Sequence, residues 1–361
     1  MSLFLLKPSY PHKPIWSLEN LADSLRVSSA ELKAIAALAD RSYTRVQLEP
    51  GSTREVFSAR PRLKEVQNRI KLAILTRVAF PRYLTGSVKG RDYITNAQLH
   101  SGARILICED VTKFFPSVSA EKVFDIWRHF FGFSDQVAHL LTRLTTKAGS
   151  LPQGASTSSY LANLVLWREE PLLQAKLAAH GITYSRYVDD MSMSCKSKLS
   201  TEEIEHVIAD VYGMLRKNGL SAKRKKHEVF TSSERMIVTK VVVNAKPSWN
   251  GQRRAAVRTQ VHVLEQRVSS GETGAELYKF VDRTGNLVGQ LGRFHKREAE
   301  LLRQRVRRAR EILQSRGMTF TTTASTQPHT DADPPSFPWE SSPQSSNNRA
   351  SRSMRWRCGM V

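Results

Sequence analysis

Tyr187-Val188-Asp189-Asp190 stands between two stretches of strand-forming residues, Ile182-Thr183-Tyr184-Ser185-Arg186 before it and Met191-Ser192-Met193-Ser194-Cys195 after it. Side chains alternate across a strand, so neighbouring acids share a direction only where a tight turn intervenes. The stretch therefore predicts strand, turn and strand, with two carboxylates at the turn. Like charges pushed together repel, and burial makes the repulsion worse. Divalent cations offset it most directly. Taken alone, an Asp-Asp pair is also what a solvated turn contains, so the rest of the chain has to decide between the two.

A third acid stands in the context that such a site needs. Asp110 follows the apolar run Ile105-Leu106-Ile107-Cys108 and precedes Phe114-Phe115-Pro116-Ser117. A strand with a carboxylate at its C-terminal end could present that acid beside the pair. Three carboxylates on adjoining strands suit two Mg²⁺ ions roughly 3.5–4 Å apart, which clamp the attacking and leaving oxygens in phosphoryl transfer.

The 361 residues suffice for two or three compact units with cores of their own. Lys and Arg number 55 against 33 acids, a formal net charge of +22. An excess of that size points to a polyanionic partner, most simply nucleic acid. An anionic membrane is the weaker candidate, because no apolar run approaches the roughly 20 residues of a spanning helix. The opening Met1-Ser2-Leu3-Phe4-Leu5-Leu6-Lys7-Pro8 is too short, and lacks the charged leader, for a signal peptide. Cys108, Cys195 and Cys358 are odd in number, far apart and without Cys-x-x-Cys spacing. They form neither a disulfide framework nor a zinc site, which fits a reducing cytoplasm.

Apolar periodicity predicts helix from Ser17 to about Asp40 with a break near Val27-Ser28-Ser29, and a second helix opened by Arg60-Pro61. Gly86 and Gly90 bracket a flexible basic loop. Helices are expected from Glu121 to Phe131, from Ser158 to about Glu170 with Pro171 as the stop, and from Glu202 to Lys217 with Gly219 ending it. Met236 to Asn244 reads as a strand. Arg253 to Arg267 and Leu287 to Gln314 read as basic helices. After Thr319 the composition turns to Thr, Ser, Pro, Asn and Gln, the signature of a disordered tail. The order of elements is that of a mixed α+β domain rather than a doubly wound sheet.

These residues together resemble a bacterial retron-type reverse transcriptase. Asp110-Val111-Thr112-Lys113-Phe114-Phe115-Pro116-Ser117 resembles polymerase motif A. Leu151-Pro152-Gln153-Gly154-Ala155-Ser156-Thr157-Ser158 resembles motif B, and Tyr187-Val188-Asp189-Asp190 motif C. Asn96-Ala97-Gln98-Leu99-His100 resembles the Asn-Ala-x-x-His element of retron enzymes. Each motif is weak by itself; all of them in this order are specific. The resemblance implies a right-hand polymerase: fingers, a palm of antiparallel sheet plus helices, and a helical thumb. It divides the chain into an N-terminal helical segment (1–50), fingers and palm (51–244), a basic thumb (245–318) and the tail (319–361).

The resemblance also implies roles. Asp110 and Asp189 would hold two Mg²⁺ ions, with the Val111 carbonyl lending a ligand and Asp190 completing the cluster. Phe115 would be the steric gate against a 2′-hydroxyl, with Phe114 in the core because adjacent strand residues face opposite ways. Gln153 and Gly154 would lie beside the nascent base pair, the glycine letting backbone approach the nucleotide. Lys225, from the run Lys223, Lys225 and Lys226, would stand near the triphosphate, with Arg91 and Arg104 as candidate triphosphate ligands. Tyr187 would contact the primer end, unless it is a buried aromatic, and His100 is as well suited to structural hydrogen bonding as to chemistry. Thr239 and Lys240 fall where retron enzymes carry Val-Thr-Gly near the primer, so a lysine at positive φ would be strained. Implied partners are a structured non-coding RNA as template and primer, the RNA–DNA hybrid, deoxynucleoside triphosphates and a separate effector protein in antiphage defence. Two rivals remain: a group II intron-like or abortive-infection-type reverse transcriptase, and a non-catalytic RNA-binding scaffold. Three clustered acids weigh against the scaffold, because without metal they cost stability.

Overall fold

The computed structural model describes residues 7–48 and 54–317. The composition-based reading of the tail, together with Cys358 and the first six residues, lies outside them. Two short helices, α1 (Leu18–Leu25) and α2 (Ser29–Ala37), open the described chain. The break between them is made by Arg26 at positive φ and by Ser28, whose hydroxyl accepts from Glu31 N to cap α2. A hairpin of β1 (Tyr43–Val46) and β2 (Val56–Ala59) leads into α3 (Pro61–Ala73), with proline in the first turn, where its missing N–H is harmless. Then come α4 (Tyr93–Leu99), β3 (Ile105–Asp110), α5 (Phe114–Ser117), α6 (Ala120–Asp125) and α7 (Asp135–Thr145). The helix expected through Phe131 is α6 continued by a π turn at Ile126–Phe130.

The helix expected from Ser158 to Glu170 is instead two, α8 (Ser158–Leu164) and α9 (Glu170–Ala179). Pro171 starts α9 rather than stopping its predecessor, since φ near −65° suits a first turn as well as an end. Strands β4 (Ile182–Tyr187) and β5 (Asp190–Cys195) follow, then α10 (Thr201–Lys217) with a Ser200/Glu203 capping box, and β6 (Glu228–Thr231). Met236 to Asn244 is not one strand. It folds back on itself as β7 (Ile237–Val238) and β8 (Val241–Val242), turning at Thr239-Lys240. The expected two basic helices are three: α11 (Gly251–Ser269), α12 (Ala275–Gly292) and α13 (Lys296–Ser315).

The central sheet is antiparallel in the order β4-β5-β3-β6, so the expected α+β class is present. Its faces follow the alternation of side chains. Ile105 and Ile107 of β3, Met191 and Met193 of β5, and Tyr184 of β4 enter the large core that α10 and α7 also line. Leu106 and Tyr187 point the other way, into a smaller cluster closed by Tyr93 and Ala97 of α4 and Val238 and Val241 of the β7–β8 hairpin. Helices α11–α13 have their own apolar centre, including Val257, Val261, Val281, Val288 and Leu302. Among the described residues no helix is long and apolar enough to cross a membrane.

Candidate active site

β4 and β5 pair from Ile182↔Cys195 to Tyr187↔Asp190, which leaves Val188 and Asp189 as a two-residue turn. Val188 sits at a φ of 60°. A β-branched residue is strained there, and persists only where its surroundings over-determine it. They do. The fully buried Arg186 donates through Nε and Nη2 to the Glu170 carboxylate at 2.6 and 2.8 Å, and through Nη1 to the Val188 carbonyl at 2.9 Å. Glu170 also accepts from Tyr184 Oη at 2.7 Å. On the other side, Gly86 presses its backbone on the turn: a Cβ there would lie 2.5 Å from Val188 N. Asn163 Nδ2 fixes that glycine by donating to its carbonyl at 2.7 Å.

The turn delivers its acids to β3. Asp190 is the ladder partner of Asp110, and Val111 N donates to the Asp189 carbonyl at 3.2 Å. Carboxylate oxygens of Asp110, Asp189 and Asp190 all lie within 4.8 Å of one another. Burial raises the pKa of Asp189, with the charge of Asp110 adding to it. Asp190 is raised further, by burial first and then by Asp189 and Asp110. Such a set is stable with all charges present only when cations join it. Two cations already approach. Lys226 Nζ lies 3.1 Å from Asp110 Oδ2, and the Arg54 guanidinium is close enough to favour the charged form of Asp189. The chemistry of this donor set, three hard oxygens that repel without a counter-charge, fits divalent metal.

The other predicted residues fall variously. Phe115 is half-buried while Phe114 is 2% exposed. The split is real, but it arises on a helical turn after Lys113 at positive φ, not on a strand. Gly154 has φ 103°, and a Cβ on it would lie 2.7 Å from Phe57 O. Its close backbone neighbour is therefore β2, which it joins through the bond from Phe57 N to Gln153 O at 2.8 Å. Tyr187 is buried in the smaller cluster, the alternative left open for it. Thr239 and Lys240 both take positive φ, and Thr239 Oγ1 donates to Tyr93 O at 2.9 Å.

Arg91 does not reach outward. Its guanidinium donates to the carbonyls of Phe80, Pro81 and Leu84, and Ser87 and Val88 of the expected flexible loop are buried. Arg104 precedes β3 at the end opposite Asp110, about 20 Å away along the strand. Lys225 is exposed on the basic turn; its neighbour Lys226 is the one that meets the acids. His100 is structural. Its Nδ1 and Nε2 each lie 2.7 Å from a strand hydroxyl, Ser194 Oγ and Ser185 Oγ, and Ser185 Oγ donates to Asn96 Oδ1 at 2.7 Å. Burial pushes the His100 pKa down to about 4. Arg54, Glu170 and Arg186 were not singled out from sequence, and Lys226 was named only as a neighbour of Lys225. A charged residue inside a strand that is otherwise uncharged was the available signal for Arg186.

Residues 45–265 match the family described as reverse transcriptase (RNA-dependent DNA polymerase). The Retron Se72 reverse transcriptase of Salmonella heidelberg (strain 579083-10) is 32% identical over 303 residues, which cover 82% of this chain and 80% of that protein. The Retron Ec48 reverse transcriptase of Escherichia coli is 30% identical over 303 residues, 79% of this chain and 74% of that protein. Among solved structures, an apo telomerase from Candida tropicalis truncated from its C-terminal domain aligns at 12% identity over 52% of this chain and 44% of that one, with a TM-score of 0.36.

Proposed function

This chain belongs to the retron-type reverse transcriptases and is an RNA-directed DNA polymerase; from that premise we propose that it copies a structured non-coding RNA by two-metal-ion nucleotidyl transfer. The observation that carries the mechanism is the convergence of Asp110 on β3, Asp190 on β5 and Asp189 in the β4–β5 turn to within 4.8 Å. Their carboxylates and the Val111 carbonyl would hold two Mg²⁺ ions. Bound there, the ions would lower the pKa of the attacking hydroxyl and offset the charge of the triphosphate and the departing pyrophosphate.

The protein's own part is positioning and charge. Lys226, whose ammonium lies 3.1 Å from Asp110, would donate a hydrogen bond to the triphosphate and a proton to the leaving pyrophosphate. Arg54, beside Asp189, supplies a second cation from the β1–β2 side. Phe115 offers its ring as the gate against a 2′-hydroxyl. Gln153 would line the base-pair pocket, with Gly154 seating the motif B loop on β2. The Thr239-Lys240 turn would meet the primer strand, backed by Tyr187. The basic helices α11–α13 act as the thumb, gripping an A-form-like hybrid through phosphate and 2′-hydroxyl contacts. The retron likeness extends the proposal to an RNA-linked single-stranded DNA product that works with an effector protein in antiphage defence, in a bacterial cytoplasm.

The Asp189→Ala/Asp190→Ala variant tests this reading. It is expected to lose all DNA synthesis on a primed RNA template with Mg²⁺, to keep its RNA affinity, and to gain thermal stability because repelling charges are gone. Synthesis that survives in this variant would overturn the mechanism. RNA without any DNA in the purified wild type, even after deoxynucleotides and Mg²⁺ are supplied, would favour the RNA-binding scaffold.

A further inference from the structure

β3 pairs with β6 from Ile105↔Thr231 to Cys108↔Glu228. Beyond that ladder the chain before β6 turns at Arg224–Lys226, and two side-chain ties join it to β3: Glu109 to His227 and Asp110 to Lys226. His227 Nδ1 lies 2.6 Å from Glu109 Oε1, and Lys226 Nζ lies 3.1 Å from Asp110 Oδ2. Successive strand residues face opposite sides, so the two ties lie on opposite faces of the sheet. Lys226 meets the acid cluster. Glu109 faces α10, whose Tyr212 hydroxyl donates to its Oε2 at 3.3 Å.

Glu109 is only 2% exposed and takes no part in the mechanism above. A buried carboxylate needs partners, and these two hydrogen bonds supply them. The basic turn at Arg224–Lys226 has no buried residue of its own. Upstream, backbone bonds tie it to β3, from Lys223 N to Asp110 O at 2.7 Å and from Thr112 N to Ser221 O at 2.8 Å; downstream, His227 is the first residue anchored by its side chain. We propose that Glu109, His227 and Tyr212 form a clamp on the far face of the sheet that positions Lys226 at the triphosphate. They are positioning residues, not catalytic ones, and the inference rests on the role given to Lys226 above.

A double-mutant cycle between His227→Ala and Lys226→Ala tests the clamp, read as single-nucleotide incorporation on a defined primer–template. His227→Ala is expected to lower kcat/KM for the nucleotide about tenfold with primer–template affinity unchanged, and His227→Gln, which keeps a donor toward Glu109, to recover most of it. Once Lys226 is alanine, removing His227 should change the rate by less than about twofold, although the melting temperature still falls. The same tenfold loss with and without Lys226 would overturn the clamp and leave Lys226 in place. A Lys226→Ala enzyme with wild-type kinetics would overturn the role of Lys226 and the clamp with it. If His227→Ala fails to fold, Tyr212→Phe removes one bond to the same carboxylate. It should give about a threefold loss that also vanishes without Lys226, and an undiminished loss there would overturn the clamp.

Discussion

Two hairpins in this molecule turn on two residues, and both carry a β-branched side chain at positive φ: Val188 in the β4–β5 turn and Thr239 in the β7–β8 turn. Glycine or asparagine is usual at such positions, because a Cβ there crowds the backbone. The first turn is held from both sides, by the buried Arg186–Glu170 pair reaching its carbonyl and by Gly86 against its amide. In the second, Thr239 Oγ1 donates to Tyr93 O, and Val238 and Val241 flank the turn with apolar packing. Positive φ at a β-branched residue is thus locked by a buried ion pair where the acid triplet is placed, whereas among the described residues the second turn has no such buried pair beside it.

The largest expected effect comes from breaking the lock. Arg186→Ala leaves Glu170 as a buried, unpaired charge and should destabilise the protein by about 3–5 kcal/mol in urea unfolding. Replacing both partners, Arg186→Met with Glu170→Leu, should restore most of that stability, since apolar residues of similar volume often substitute well for a buried pair. DNA synthesis should stay impaired in the double variant, because the Val188 carbonyl still lacks its donor. Full recovery of synthesis would mean that the pair supports the fold alone and that the two turns do not differ in kind.

Acid should separate the hairpins next. His100 ties Ser194 of β5 to Ser185 of β4, and its folded pKa is about 4. An unfolded histidine takes up its proton near 6.5, so between these values the unfolded chain binds more protons. Stability from this group is therefore complete above about pH 6.5 and falls as pH drops toward 4, by about 3 kcal/mol over the window. A His100→Gln variant should show a flatter stability–pH profile by that amount. Amide exchange at pH 5 should quicken in β4–β5 before it does in β7–β8. Equal quickening in both would break the distinction.

The legible parts of the sequence were those where a local pattern also sets the tertiary place. An apolar run ending in Asp110, and strand residues on both sides of Val188-Asp189, suffice for β3, β4, β5 and the acid triplet. The split between Phe114 and Phe115 was also legible, although a helical turn and not a strand produces it. What stayed hidden depends on register between distant segments. Lys225 and Lys226 are alike in sequence, and only the turn at Arg224–Lys226, folded back on the end of β3, brings Lys226 to Asp110. Gly154 looks like a glycine that admits a nucleotide, but the carbonyl of Phe57, far away in sequence, comes close to it. Arg91 reads as a candidate triphosphate ligand because nothing local shows three carbonyls waiting for it. Pro171 is ambiguous for a different reason, since a fixed φ fits the start of a helix as well as its end.

The smallest effect tests the β7–β8 turn. Lys240 has a φ of 63° at its second central position, where glycine would sit without strain. Lys240→Gly should therefore stabilise the protein by about 1 kcal/mol, a shift of a few degrees in Tm. The exposed ammonium is lost in the exchange. If that charge meets a primer phosphate, the variant binds its primer–template less tightly, and the slope of log affinity against log salt shrinks by about one unit. A gain in stability with an unchanged salt slope would assign Lys240 no contact with nucleic acid. A loss of stability would show that the lysine itself holds the turn, which would then be as firmly determined as the one that carries Asp189.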